Sequence, residues 1–143
     1  MIELSDDKTR LDVPRIHRWL AASYWTPGID YSLVERAIAG SHCLGAYDGA
    51  VQIGFARLIT DGVSFGWLAD VWVEDSHRGQ GVGRAMVGWF LDQPAYAAMR
   101  RIALATADAH GVYAALGFAP LSRPDRFMER LSPAYRAHQA SFR

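Results

Sequence analysis

A chain of 143 residues with half its positions hydrophobic and 21% charged is long enough for one domain with a buried core, and its composition excludes a disordered or low-complexity protein. Fifteen basic residues balance fifteen acidic ones, so there is no net field to favour nucleic acid as a partner, and no basic stripe stands out. Cys43 is the only cysteine, which rules out an intrachain disulfide and a Cys-rich zinc site and casts it as a small buried hydrophobe. The start Met1-Ile2-Glu3-Leu4-Ser5 lacks a basic region followed by an apolar one, and no run of about 18 apolar residues marks a membrane span, so the expected location is the cytosol.

In chain order, residues 2–5 are predicted as a short edge strand. Asp12 then caps a helix with Pro14 in its first turn and Val13, Ile16 and Leu20 on one face, broken by the Tyr24-Trp25-Thr26-Pro27-Gly28 run. A second helix is predicted over residues 32–39, with Leu33, Val34, Ala37 and Ile38 grouped on one side and Gly40 ending it. Residues 42–47, 51–59 and 64–73 read as an antiparallel meander, separated by the turn signals Asp48-Gly49 and Asp61-Gly62. From Gly79 a helix places Val82, Met86, Trp89 and Phe90 on one face and stops before Pro94. A strand over 102–106, a helix over 110–116 closed by Gly117, and two last strands at 118–119 and 127–130 complete the order. No linker, repeat or charge block divides it, and one domain over 1–143 is expected.

The chemistry concentrates in Arg78-Gly79-Gln80-Gly81-Val82-Gly83-Arg84, which follows the strand end Asp70-Val71-Trp72-Val73 and opens a helix. Glycines let a backbone approach a ligand closely, the first helical turn has unpaired N–H groups, and the helix dipole favours an anion there. Two better-known phosphate motifs fail. A dinucleotide fingerprint needs a third glycine where this chain has Arg84 or Met86, and a P-loop needs Gly-Lys-Ser/Thr although Lys8 is the only lysine.

The remaining pattern, Arg-x-x-Gly-x-Gly between a strand and a helix, resembles the acetyl-CoA motif of the GCN5-related N-acetyltransferase (GNAT) superfamily. The order of elements is similar to the family's, and Tyr113-Ala114-Ala115-Leu116-Gly117-Phe118 matches the Tyr-x-x-x-Gly-Phe segment that follows its fifth strand. The resemblance spans about residues 2–130 and implies an α+β fold, with a mixed, mostly antiparallel sheet of about seven strands flanked by about four helices. It implies acetyl-CoA as co-substrate, with no metal, and transfer of its acetyl group to a primary amine.

It further implies that backbone N–H groups from Gly79 through Gln80, Gly81, Val82 and Gly83 to Arg84 hold the pyrophosphate, with Arg78 beside them. Val71, Trp72 and Val73 would pair with the pantetheine arm as with an added strand. Many members carry an Asn seven residues before the catalytic Tyr. Thr106 stands there in this chain, ahead of an Ala107-Asp108-Ala109 turn, and offers one hydroxyl instead.

Transfer to an amine needs a polarised carbonyl, a protonated leaving group and an unprotonated nucleophile. The first is implied to come from a backbone N–H of Trp72 or Val73. A phenol with pKa near 10 is protonated at neutral pH and can donate to a thiolate of pKa about 8.5, and Tyr113 holds the family's position for that acid. An alkylamine must lose a proton, at roughly 4 to 5 kcal/mol from pKa about 10.4, and Asp70 is the first candidate to take it, His110 the second. His77 shapes the turn. Tyr24 and Trp25, with Arg123 and Arg126 behind them, are the candidates for the acceptor pocket, where aromatic rings suit a hydrophobic amine or a cation. The partners expected are acetyl-CoA and an amine, with neither nucleic acid nor membrane, and with room for a homodimer. The alternative is a non-catalytic acyl-CoA-binding or regulatory module.

Overall fold

The computed structural model describes residues 1–140, with side chains through His138. Five strands make one sheet in sequence order: β1 (Ile2–Ser5), β2 (His42–Asp48), β3 (Val51–Thr60), β4 (Gly66–Val73) and β5 (Ile102–Ala103). The first four pair antiparallel and β5 joins β4 in parallel. The two Asp-Gly signals do form the tight connections of the meander. At the second, Asp61 Oδ1 accepts the N–H groups of Val63 and Ser64, both at 2.8 Å, which holds the loop and delays β4 to Gly66.

Helices α1 (Val13–Ala21) and α2 (Tyr31–Ala39) cover one face of the sheet. Asp12 caps α1 by accepting from Arg15 N–H at 3.1 Å, and Ile16, Trp19 and Leu20 are buried against Val34, Ile38, Cys43 and Phe55. Burial pushes the Cys43 thiol up to about 11, in keeping with its reading as a hydrophobe. Leu33, expected on the packed side of α2, is instead 45% exposed. On the opposite face α3 (Val82–Leu91) buries Val82, Met86, Val87 and Phe90 on Leu44, Ala46, Ile53, Ala56, Leu58 and Leu68. At its far end His42 bonds the Tyr96 hydroxyl and, at 3.0 Å, Asp6.

The sheet has five strands rather than about seven. Residues 118–119 and 127–130 are not strands: residues 119–130 are all exposed, with no apolar face to set against the core. Phe118 still packs on that core from a loop. β5 stops at Ala103, short of the expected Thr106, whose hydroxyl accepts Ala109 N–H at 3.1 Å and turns the chain into α4 (His110–Ala114). A fifth helix, α5 (Pro133–Ala140), was not expected from the sequence. No helix among the described residues is long and apolar enough to cross a membrane.

Candidate active site

β4 and β5 touch at one end only, Gly66 opposite Ile102 and Trp67 opposite Ala103. Beyond Trp67, β4 runs six more residues with β3 on one side and an opening on the other. In an antiparallel ladder bonded and non-bonded pairs alternate. Glu74 N–H donates to Ile53 C=O at 2.8 Å, so Trp72 opposite Phe55 is also a bonded pair, and the backbone groups of Val73 and Val71 face the opening. The expectation that Trp72 offers its N–H there is thereby corrected: that group points into β3, and the Trp72 ring packs on the α1/α2 side.

Between Ala69 and Trp72 the ladder slips, so that Asp70 and Val71 together stand opposite Ala56. Asp70 has φ of 56°, the only left-handed non-glycine residue among those described. Such a conformation costs an L-residue about 1–2 kcal/mol, least for Asp and Asn. The side chain is pinned from two directions. Asp70 Oδ2 accepts Arg57 Nε at 2.6 Å and Oδ1 accepts Trp25 Nε1 at 2.8 Å, with Asp70 only 7% and Arg57 16% exposed. Arg57 also donates to Ser41 Oγ at 2.9 Å. The bulge is thus tied to β3, the turn between α2 and β2, and the α1–α2 connection together.

The glycine-rich segment closes one end of the opening. Gly79 (φ 78°) and Gly81 (φ 81°) are both left-handed, and this delays the helix to Val82 from its expected start at Gly79. The first ladder bond of α3 runs from Ala85 N–H to Gly81 C=O, 2.9 Å, so the amides of Val82, Gly83 and Arg84 stand ahead of it at the positive end of the helix dipole. A Cβ placed on either left-handed glycine would meet nothing within 4 Å, which means that open space lies in front of this turn. Gly83 lies against Val73, 3.7 Å from its Cγ2 to an ideal Cβ, so the turn adjoins the strand edge.

Gln80 and Arg84 are exposed at this turn. Arg78 is held differently: Nε donates to Val73 C=O at 2.9 Å, Nη1 pairs with Asp75 at 3.0 Å, and the guanidinium lies over the Trp72 ring. His77, expected to shape the turn, bridges Ser76 Oγ (2.7 Å) and Asp48 (2.9 Å), tying the turn to the β2–β3 hairpin.

At the other end stands α4. Tyr113 packs on the core cluster that contains Val71 and Val73 and meets Phe118 edge-on at 5.8 Å. Burial, with smaller effects of Tyr24 and Asp108, raises its pKa above the ordinary phenol value. The Tyr24 hydroxyl accepts Ala107 N–H at 3.2 Å, which links the α1–α2 connection to this turn. Tyr24 meets Trp25 edge-on at 5.0 Å, and Trp25 lies 6.0 Å from Trp72. His110 is exposed at the start of α4, and Arg123 and Arg126 lie on the exposed loop, where Arg123 is paired with Asp125.

The structure links Tyr24 to the turn before α4, Trp25 to Asp70, and the Gly79–Arg84 turn to Val73 at the edge of β4. Arg57 was missed by sequence reading, although a charged residue in the apolar run Val51–Thr60 is a signal for a buried pair.

A family whose description is Acetyltransferase (GNAT) domain matches residues 39–120, more than half of the chain. This chain belongs to the GNAT family. A Xanthomonas campestris pv. campestris protein assigned to the same family has a solved structure that superposes with a TM-score of 0.89 at 40% identity, covering 93% of this chain and 94% of that one. A Gibberella zeae protein bearing the name of an acetyltransferase is 29% identical over 133 residues, 73% of this chain and 71% of its own. A Clostridium acetobutylicum protein solved with acetyl-CoA shares the fold, with a TM-score of 0.68 at 18% identity over 92% of this chain and 96% of that one.

Proposed function

We propose that this GNAT member is an acetyl-CoA-dependent N-acetyltransferase acting on a primary amine. The observation that carries the reading is the meeting of a strand edge at Val71 and Val73 that faces no partner strand among the described residues, with only the Val73 C=O taken by Arg78, and a left-handed glycine turn with helix amides ahead of the first ladder bond. An extended amide-bearing arm ending in a pyrophosphate matches that pair of features, the arm as an added strand and the anion at the helix end. The fold relative solved with acetyl-CoA supports the choice of ligand.

In this reading a backbone N–H of Val73 or Val71 polarises the thioester oxygen, and Tyr113, kept protonated by its raised pKa, donates to the departing sulfur. Asp70 enters chiefly as the residue that fixes the bulge, since both of its oxygens already hold donors. A direct role as base requires it to take a proton while keeping Arg57 and Trp25 in place. Thr106, whose oxygen already accepts a backbone N–H, has its hydroxyl hydrogen to offer the coenzyme. The opposing reading, a module that binds acyl-CoA without turnover, predicts binding and no release of thiol.

Acetyl-CoA at about 100 times its Kd should stabilise the fold by roughly 2.7 kcal/mol, whereas ATP and NADH at equal concentration should do far less. Release of CoA thiol with an amine panel then separates enzyme from module. No thermal shift at millimolar acetyl-CoA, or an equal one with ATP, refutes the coenzyme assignment.

A further inference from the structure

The glycine turn has little packing of its own to hold it. Gly79 and Gly81 carry no side chain, and a Cβ on either would meet nothing within 4 Å. The chain reaches them from β4 through Glu74 and one short 3-10 turn, Asp75–His77, in which His77 N–H donates to Glu74 C=O at 2.9 Å. Arg78 leans only on β4 and on Asp75. His77 reaches further. Its Nε2 meets Asp48 Oδ2 at 2.9 Å and its Nδ1 meets Ser76 Oγ at 2.7 Å, with the side chain 20% exposed. Among the described residues, the bond to Asp48 is the side-chain hydrogen bond that ties residues 75–84 to an element other than β4.

Asp48 is a fixed anchor. It stands opposite Ile2 in β1 and Val51 in β3, and β3 pairs onward with β4, Gly54 opposite Val73. The bond therefore closes a ring through the fold: β4, the 3-10 turn, His77, Asp48, β3 and β4 again. A carboxylate only accepts, so Nε2 carries the proton of this bond, which holds the Asp48 carboxyl below the usual carboxylate range. While the ring is neutral Nδ1 accepts the Ser76 hydroxyl, and once the ring is charged Nδ1 donates to Ser76 Oγ, so both forms keep the tie. In the proposed function an arm laid along β4 and a pyrophosphate at the helix end belong to one molecule. Both can bind only if turn and strand edge keep a set spacing, and a turn that wandered would have to be ordered at the expense of affinity.

Building on the proposed coenzyme assignment, we infer that His77 is a positioning residue for the coenzyme: anchored on Asp48, it holds the Gly79–Arg84 turn at the spacing from the β4 edge that lets arm and pyrophosphate bind at once. Its bonds go to Asp48 and Ser76, so it acts through the turn rather than on the ligand. The role rests on the Nε2–H, and this fixes what can replace the residue. Gln carries an amide N–H at about the reach of Nε2 and keeps the donor to Asp48. Asn is one bond shorter, matches Nδ1 instead, and reaches Ser76 only.

Isothermal titration of acetyl-CoA into the full chain, with Tm measured alongside, tests the inference. His77→Asn and Asp48→Ala should each raise Kd about 3- to 10-fold, the worth of one hydrogen bond, and the double variant should bind no more weakly than either single one. His77→Gln should bind within about 2-fold of the parent. Kd is read well below every Tm, so a general loss of stability does not imitate the effect. Asp48, with its side chain 51% exposed, supplies a variant that keeps the test open should His77→Asn not fold. Parent-like binding by Asp48→Ala, losses that multiply in the double variant, or a His77→Gln as weak as His77→Asn overturns the inference and leaves the coenzyme assignment standing. A parent protein that does not bind acetyl-CoA removes both.

Discussion

Replacing Asp70 by Asn removes the charge and turns one of two accepting oxygens into an NH2 donor facing Arg57 Nε or Trp25 Nε1, while keeping the shape and the tolerance of a φ of 56°. The change leaves the Arg57 guanidinium, 16% exposed, without its anion. Orphaning one partner of a buried ion pair costs about 3–5 kcal/mol, and the partial exposure of Arg57 with its bond to Ser41 lowers the expectation to about 2–3 kcal/mol. Unfolding entropy of about 2.1 cal/mol/K per residue amounts to about 0.3 kcal/mol/K for 143 residues, so Tm should fall by about 7–10 °C. Asp70→Ala should melt about 3 °C lower still, since Ala adds roughly 1 kcal/mol of left-handed strain. Scanning calorimetry reads both. If Asn melts within 2 °C of the parent, or Ala no lower than Asn, the pair does not hold the bulge. The pH–rate profile divides the two chemical roles: a base lost with Asp70→Asn removes the acidic limb, whereas a lost positioning residue lowers kcat/KM and leaves the limb where it was.

At Gly81 (φ 81°) a Val is strained in the backbone and also carries bulk into the open space before the turn, so Gly81→Val should cut acetyl-CoA affinity more than Arg78→Ala, whose guanidinium is already bonded to Val73 and Asp75. Isothermal titration measures both, and a Gly81→Val variant that folds and binds like the parent refutes the placement of the phosphates. Tyr113→Phe should lower kcat about 10- to 1,000-fold with little change in acetyl-CoA Kd. The sign of its pH dependence follows from the raised pKa: an acid acts while protonated, so the parent rate should rise as the amine loses its proton and should show no alkaline fall between pH 6 and 9. A fall within that window, or full kcat in Tyr113→Phe, assigns the proton to another source.

The parts of this fold that were legible in the sequence are those written in local chemistry. The Asp12 cap with Pro14, the Asp-Gly turns and the helix period through Val82, Met86 and Phe90 each fix an element with its own residues. The glycine turn belongs to the same class, because Gly79 and Gly81 are needed for backbone angles that other residues resist. What escaped depends on distant partners. Arg57 and Asp70 are 13 residues apart, Trp25 and Asp70 45 apart, and nothing local announces that one carboxylate serves both donors. The last two strands were expected on topology and failed on local grounds, a run of exposed residues without an apolar face. The Ser132-Pro133 start of α5 is a local cap signal, with Ser132 Oγ accepting Tyr135 N–H at 3.1 Å.

Trp25 joins these threads. Its N–H edge holds the carboxylate at the bulge, the bulge sets which backbone groups of β4 face the opening, and its ring lies 6.0 Å from that of Trp72 and lines a surface cleft beside α5. A ligand that shifts the indole therefore also loads the Asp70 bond, and through it the strand edge. Deleting Trp25 would mix lost packing, a lost donor to Asp70 and a lost cleft wall in one number. Asp70 is the separable handle, since it meets the indole only at the N–H edge. Trp25→Phe, which keeps a ring but removes the N–H, should reproduce part of the Asp70→Asn loss in Tm, and a Trp25→Phe variant that melts with the parent would show that the indole N–H does not hold the carboxylate.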